Sequence, residues 1–178
     1  MTLTKKLKLI TPFAILLVLF LMLWNALFYK HAQAYPGTMV GESIPRFSLP
    51  SLYGSSNLTN RQLNGRVTVL NFWASWCSAC QAEMSTLMRI KKNYNVPMYG
   101  IAYKDTPSDA KAALKRSGNP YNMVALDKYG EAGVDFGIYG TPEMFVVSPN
   151  GKIIYKHIGT ISMSEWRNEI YPIIKQYR

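Results

Sequence analysis

Cysteine is nearly absent. The 178 residues hold two, Cys77 and Cys80, so no disulfide framework staples the fold and no unpaired thiol lies elsewhere. Histidine is as scarce, with His31 and His157 alone; a zinc site usually takes four ligands, and the pair with two scattered histidines does not assemble one convincingly. There is no internal repeat and no low-complexity tract. Acidic residues are half as many as basic ones, 10 against 20, yet the chain beyond Lys30 contains no basic run longer than Lys91-Lys92 or Lys115-Arg116, and nothing interleaves basic and aromatic residues as a nucleic-acid surface does. Nucleic acid is therefore not an expected partner, and no metal is expected.

What the sequence does have is concentrated in Val67 to Leu87, VTVLNFWASWCSACQAEMSTL. Val67 to Trp73 has the β-branched and aromatic content of a buried strand, and Met84, Leu87 and Met88 come after it at helical spacing. The strand runs directly into a helix with the C-x-x-C at its start. There, unpaired backbone N–H groups and the helix dipole favour a thiolate at Cys77, and Cys80, one turn later, can attack a disulfide that Cys77 has formed. Thiol–disulfide exchange is the chemistry these residues support.

At the other extreme of polarity, an apolar stretch from Leu9 to Tyr29 succeeds Lys5, Lys6 and Lys8. About 20 apolar residues suffice as a helix to cross a hydrocarbon core of roughly 30 Å, and lysines on the N-terminal side keep that end cytoplasmic. The expected order is a cytoplasmic N-terminus at 1–8, a transmembrane anchor at 9–29, a polar linker at 30–40 containing Pro36-Gly37, and a folded domain at 41–178. Ala32-Gln33-Ala34 also fits a signal-peptidase pattern, but a signal core is normally only about 7 to 15 residues, which favours the anchor. Either reading exports the domain. Without Lys5, Lys6, Lys8 and Lys30, 16 basic and 10 acidic residues remain, a charge of +6 carried on solvated faces.

Along the domain, Ile44 to Leu49 reads as a strand or edge hairpin, Asn60 to Asn64 as one helical turn and Val96 to Tyr103 as a second buried strand. Thr106-Pro107-Ser108-Asp109 caps a helix that Gly118 ends. Met123 to Leu126 reads as a short strand; Asp127 to Gly140, rich in glycine, has no clear pattern. Pro149-Asn150-Gly151 turns a hairpin between Phe145–Ser148 and Lys152–His157. Ser162 and Glu165 cap a last helix with Trp166, Ile170, Ile173, Ile174 and Tyr177 inward, bent by Pro172. Alternating strands and helices require a sheet covered on both faces.

This order, with Trp76-Cys77-Ser78-Ala79-Cys80 and Gly140-Thr141-Pro142 as its strongest carriers, resembles the thioredoxin fold from about Val40 onward. The expected class is α/β, a central mixed β-sheet flanked by helices and preceded by one transmembrane helix. Leu70 to Cys77, Tyr103-Lys104-Asp105, Gly118-Asn119-Pro120-Tyr121, Gly137 to Glu143 and Tyr155 to Gly159 resemble the membrane-anchored CcmG (DsbE) family of cytochrome c maturation.

The resemblance implies a single-pass protein of the bacterial inner membrane with its domain in the periplasm. It implies a reductant that draws electrons from a DsbD-type membrane donor and reduces apocytochrome c or maturation-factor disulfides. Cys77 would attack and Cys80 resolve, with no cofactor beyond the redox-active pair. It also implies a cis Pro142 against the cysteines and a Thr141 backbone that pairs with an extended substrate. Glu83 and Glu143 resemble the family's active-site acids, able to accept the Cys80 proton or to raise the thiol pKa values. Trp73 and Trp76 are expected to shield the pair. The buried aspartate of thioredoxin is replaced by Asn71, which cannot shuttle a proton. Ser78, where relatives often carry proline, leaves the potential open.

A DsbA-type oxidase is disfavoured by the lack of a histidine between the cysteines, a Sco-type copper carrier by their spacing. A TlpA- or ResA-type reductase with other clients is the nearest alternative. No long amphipathic seam calls for a dimer, so a monomer is expected.

Overall fold

A computed structural model of the chain describes residues 12–13, 15–23 and 39–178. The chain divides into two units, Met1–Ala34 and Tyr35–Arg178. In the first, the described residues are helical, with Phe13, Leu16 and Leu23 among their exposed side chains. Among the described residues no helix is long and apolar enough to cross a membrane; the expected cytoplasmic stretch, both ends of the expected anchor and most of the linker lie outside them.

The second unit is built on a five-stranded sheet. Its strands are β3 (Thr68–Trp73), β4 (Met98–Tyr103), β5 (Met123–Asp127), β6 (Glu143–Val147) and β7 (Ile153–Ile158), in the order β5-β4-β3-β6-β7. β3 pairs in parallel with β4, and β4 with β5, while β6 and β7 join antiparallel. The sheet is therefore mixed, as expected. A small hairpin of β1 (Ser48–Pro50) and β2 (Asn57–Thr59) precedes it and touches β5 through Leu52 N–H to the Val124 carbonyl, 2.8 Å.

Every residue of β3 is buried, because helices cover both sheet faces; this is why its sequence is an apolar run rather than an alternation. Val69 and Trp73 share one face with Met98, Ala102, Met144 and Val146, beneath α2 (Ser78–Asn93), α3 (Pro107–Ser117) and the C-terminal helices. Leu70 and Phe72 share the other with Tyr99, Ile101, Phe145 and Val147, beneath Leu58, Leu63 of α1 (Asn60–Leu63) and Phe136, which comes directly after α4 (Glu131–Asp135). Burying a side chain such as Phe72 contributes about 1.5–3 kcal/mol.

The caps sit where the sequence puts them. Thr106 Oγ1 accepts the Asp109 N–H at 3.2 Å, Pro107 opens α3, and Gly118 closes it at φ +88°, in the region that favours glycine. The glycine-rich stretch after Asp127 contains α4, which local pattern did not reveal.

The last helix departs from expectation. α5 (Met163–Glu165) passes into a π-helical turn, Trp166–Ile170, before α6 (Tyr171–Gln176). Pro172 has no N–H to continue the α ladder, and the Tyr171 N–H bonds Trp166 O, five residues back. The extra residue rotates the final turns of the helix: Trp166, Ile170 and Ile174 remain buried, while Ile173 is half-buried and Tyr177 turns out to solvent.

Candidate active site

Cys77 is the N-cap of α2, in extended conformation, immediately after β3 and the Ala74–Trp76 loop. Cys77 and Cys80 form a disulfide with Cα atoms 5.3 Å apart. The Cys80 N–H donates to Cys77 Sγ at 3.0 Å, so the first turn of the helix points a backbone donor at this sulfur. Once reduced, a thiolate there is stabilised by that donor and by the helix dipole. Cys77 is 7% exposed and Cys80 fully buried, which makes Cys77 the sulfur a partner can reach.

Thr141 and Pro142 approach from the start of β6, the strand beside β3. The Thr141 carbonyl lies 3.3 Å from Cys77 Sγ, close enough for the reduced thiol to donate to it, and the Thr141–Pro142 peptide bond is cis. The residues thus brought together, Cys77, Cys80, Thr141 and Pro142, come from two separated segments.

Two further side chains fix the loops. Asp105, two residues beyond β4, is buried and accepts from Ser75 N–H at 2.6 Å, Ser75 Oγ at 2.7 Å and Thr106 N–H at 2.8 Å, holding the loop that leads into the cysteines. Lys156 of β7 donates to the Gly137 carbonyl at 3.0 Å and pairs with Glu143 at 2.8 Å. Its side chain is only 3% exposed, although the residue as a whole is half-buried; the backbone of an edge strand accounts for the difference. The sequence placed both only inside segments that resemble the CcmG family, with no role for either side chain, because their partners lie far away along the chain.

Glu143 has a structural occupation. Its Oε1 accepts from the Tyr139 and Gly140 N–H groups at 2.8 and 3.1 Å while Oε2 faces Lys156. The carboxylate braces the loop ahead of Pro142. Glu83 does lie on the buried face of α2, one turn beyond Cys80. Burial pushes its pKa up to about 7, against the smaller opposing effect of hydrogen bonds from Ile161 N–H and Asn71 Nδ2, each 3.3 Å. Tyr121, behind Asn71, is likewise pushed up by burial.

Trp73 is fully buried, whereas Trp76 is 61% exposed, its indole N–H held by the Lys104 carbonyl at 3.1 Å. It forms one wall of an open cleft of about 350 Å³ with Lys104, Asp109 and Arg116.

Comparison with known proteins agrees with this geometry. The Redoxin family profile matches residues 39–170. A thiol:disulfide interchange protein DsbE from Allochromatium vinosum is 40% identical over 164 residues, spanning 90% of this chain and 91% of that protein. The DsbE of Escherichia coli K12 is 33% identical over 171 residues, 90% and 92% of the two chains. Among solved structures, a thiol-disulfide oxidoreductase from Bacteroides fragilis superposes with a TM-score of 0.60 at 29% identity, covering 72% of this chain and 99% of that one. With its cysteine pair at the head of α2 and relatives that match nearly end to end, the chain is a thiol–disulfide oxidoreductase and belongs to the DsbE (CcmG) family of thiol:disulfide interchange proteins.

Proposed function

We propose that the chain is a reductant of cytochrome c biogenesis, anchored in the bacterial inner membrane by residues 9–29 with its thioredoxin-like domain in the periplasm. The observation that carries the exchange chemistry is the placement of Cys77 Sγ at the start of α2, 3.3 Å from the Thr141 carbonyl. An extended client segment that pairs with the Thr141 backbone brings its own disulfide to this sulfur. Direction and client rest on the kinship with DsbE proteins.

The reduced pair starts the cycle. The Cys77 thiolate attacks one client sulfur; the Cys77–client bond forms, the client S–S bond breaks, and the departing client thiolate takes a proton. Cys80 then gives its proton to Glu83 and attacks Cys77 Sγ. The mixed disulfide breaks, the second client thiolate leaves, and the Cys77–Cys80 disulfide remains. Two electrons have passed to the client, and a DsbD-type donor restores the dithiol. Glu83, raised to about 7, is matched to accepting a proton near neutral pH. Trp76, exposed beside Cys77, and the Thr141–Pro142 segment form the surface on which a client rests.

A Cys80→Ser variant expressed in cells tests this reading. It cannot resolve, so clients accumulate as mixed disulfides on Cys77, and apocytochrome c or its maturation factors are expected among them. Their consistent absence, with other proteins trapped instead, makes the chain a TlpA- or ResA-type reductase. Direction is read independently from the reduction potential: a value toward that of thioredoxin, about −270 mV, fits a reductant, and one near DsbA, about −120 mV, overturns it.

A further inference from the structure

Asn71 stands in the middle of a strand whose neighbours are apolar, and its side chain is only half satisfied. Nδ2 donates to Glu83 Oε1 at 3.3 Å and to Tyr121 Oη at 2.9 Å, whereas Oδ1, equally buried, has no hydrogen-bond partner. An unpaired buried polar atom costs about 1–3 kcal/mol, so packing alone does not account for an amide here.

Tyr121 is held in place. Its ring stacks on Trp73 with centroids 6.0 Å apart and planes at 24°, and its N–H donates to Asn119 Oδ1 at 3.0 Å. The ring also lies over Gly100, where an added Cβ would fall 2.8 Å from it. Gly100 is the β4 residue paired with Asn71, so the side chain it lacks is what lets the Tyr121 hydroxyl reach the amide.

A primary amide has a donor end and an acceptor end of nearly equal shape, and a phenol hydroxyl both donates and accepts. With Glu83 ionised, the amide nitrogen donates to both oxygens, as observed. With Glu83 protonated on Oε1, that O–H needs an acceptor. A half-turn of the amide places Oδ1 there, and the same oxygen accepts the Tyr121 O–H. Glu83 Oε2 keeps the Ile161 N–H in both arrangements. Each arrangement makes the same number of hydrogen bonds and leaves one end of the amide unpaired.

We propose that Asn71 is a positioning residue whose amide turns over each time Glu83 gains or loses its proton, with the Tyr121 hydroxyl as the fixed partner of either end. The turn arises from the geometry; its place in the catalytic cycle rests on the proposed role of Glu83 toward Cys80. It lets a residue that cannot carry a proton accommodate one that does. The groups facing Glu83 are Tyr121 from the segment before β5, the uncharged Asn71 from β3 and the Ile161 N–H from the segment after β7, and Cys80 is buried three residues before it on the same helix.

The oxidised full-length protein is the sample of choice, since its disulfide does not titrate. With Asn and Glu isotope-labelled, Glu83 is tracked by its carboxyl carbon, and Asn71 by magnetisation transfer from its amide protons to the Tyr121 ring, from about pH 5 to 9. The transfer is expected to be strong above the Glu83 midpoint and to fade below it, and to become independent of pH in Glu83→Gln. A cross-peak that persists unchanged while Glu83 titrates overturns the proposal, as does one that still titrates in Glu83→Gln. In Tyr121→Phe, the Asn71 amide protons are expected to exchange with water about 10-fold faster or more, and unchanged exchange removes Tyr121 from the arrangement. Reduction of client disulfides by the wild type is assayed separately, so the cycle can fail while the coupled turn stands.

Discussion

Glu83 and Glu143 are both buried, 3% and 1% exposed, yet they are handled in opposite ways. Glu143 meets an ammonium at 2.8 Å and two backbone donors. Glu83 has no ion pair among the described residues, only one amide and one backbone N–H at 3.3 Å each. Pairing turns a buried carboxylate into a structural brace; leaving it unpaired lets desolvation raise its pKa until it can exchange a proton at neutral pH. The same side chain therefore serves loop geometry at one position and, at the other, is left suited to the proton transfer proposed for it.

The sharpest way to break this contrast is to make Glu143 resemble Glu83. Lys156→Met leaves a buried carboxylate unpaired and is expected to destabilise the domain by about 3–5 kcal/mol in chemical unfolding, whereas Lys156→Met with Glu143→Leu recovers most of that loss. If the single variant is as stable as wild type, the brace is not structural. Client reduction by the single variant should also slow, because the Gly137–Thr141 loop loses its anchor.

A smaller effect is expected at Glu83. Its folded-state pKa of about 7 exceeds the ordinary 4.5, so folding takes up a proton between those values. The favourable contribution of the neutral acid is full below about pH 4.5 and is lost as pH rises through 7. Glu83→Gln should flatten that dependence and be more stable than wild type above neutral pH by roughly 1–3 kcal/mol. Denaturant midpoints measured across this range check it, and parallel curves for the two proteins would refute it. Smallest of all is salt: raising ionic strength from about 0.1 to 1 M should change the Lys156→Met penalty by less than about 0.5 kcal/mol, because a buried pair is poorly screened.

How much of this was legible beforehand depends on the range of the interactions. The run from Val67 to Trp73, the C-x-x-C, the cap at Thr106 and the turn at Pro149-Asn150-Gly151 are local signals, and each element forms where they put it. The division of labour between the glutamates was not readable, because Lys156 and Tyr121 reach their partners through tertiary structure. α4 escaped because a five-residue helix in a glycine-rich segment has too few turns to show a period. Tyr177 was misplaced because a period of 3.6 assumes an unbroken α ladder, and the π turn before Pro172 inserts a residue.

Gly100 also bears on how this sequence can drift. A methyl group there strikes the ring that carries the hydroxyl to Asn71, so the smallest possible enlargement of a β4 residue is felt at a carboxyl in α2. Gly100, Asn71 and Tyr121 are thus coupled in packing though scattered along the chain: enlarging the first displaces the third, and that displacement draws the hydroxyl away from the amide of the second.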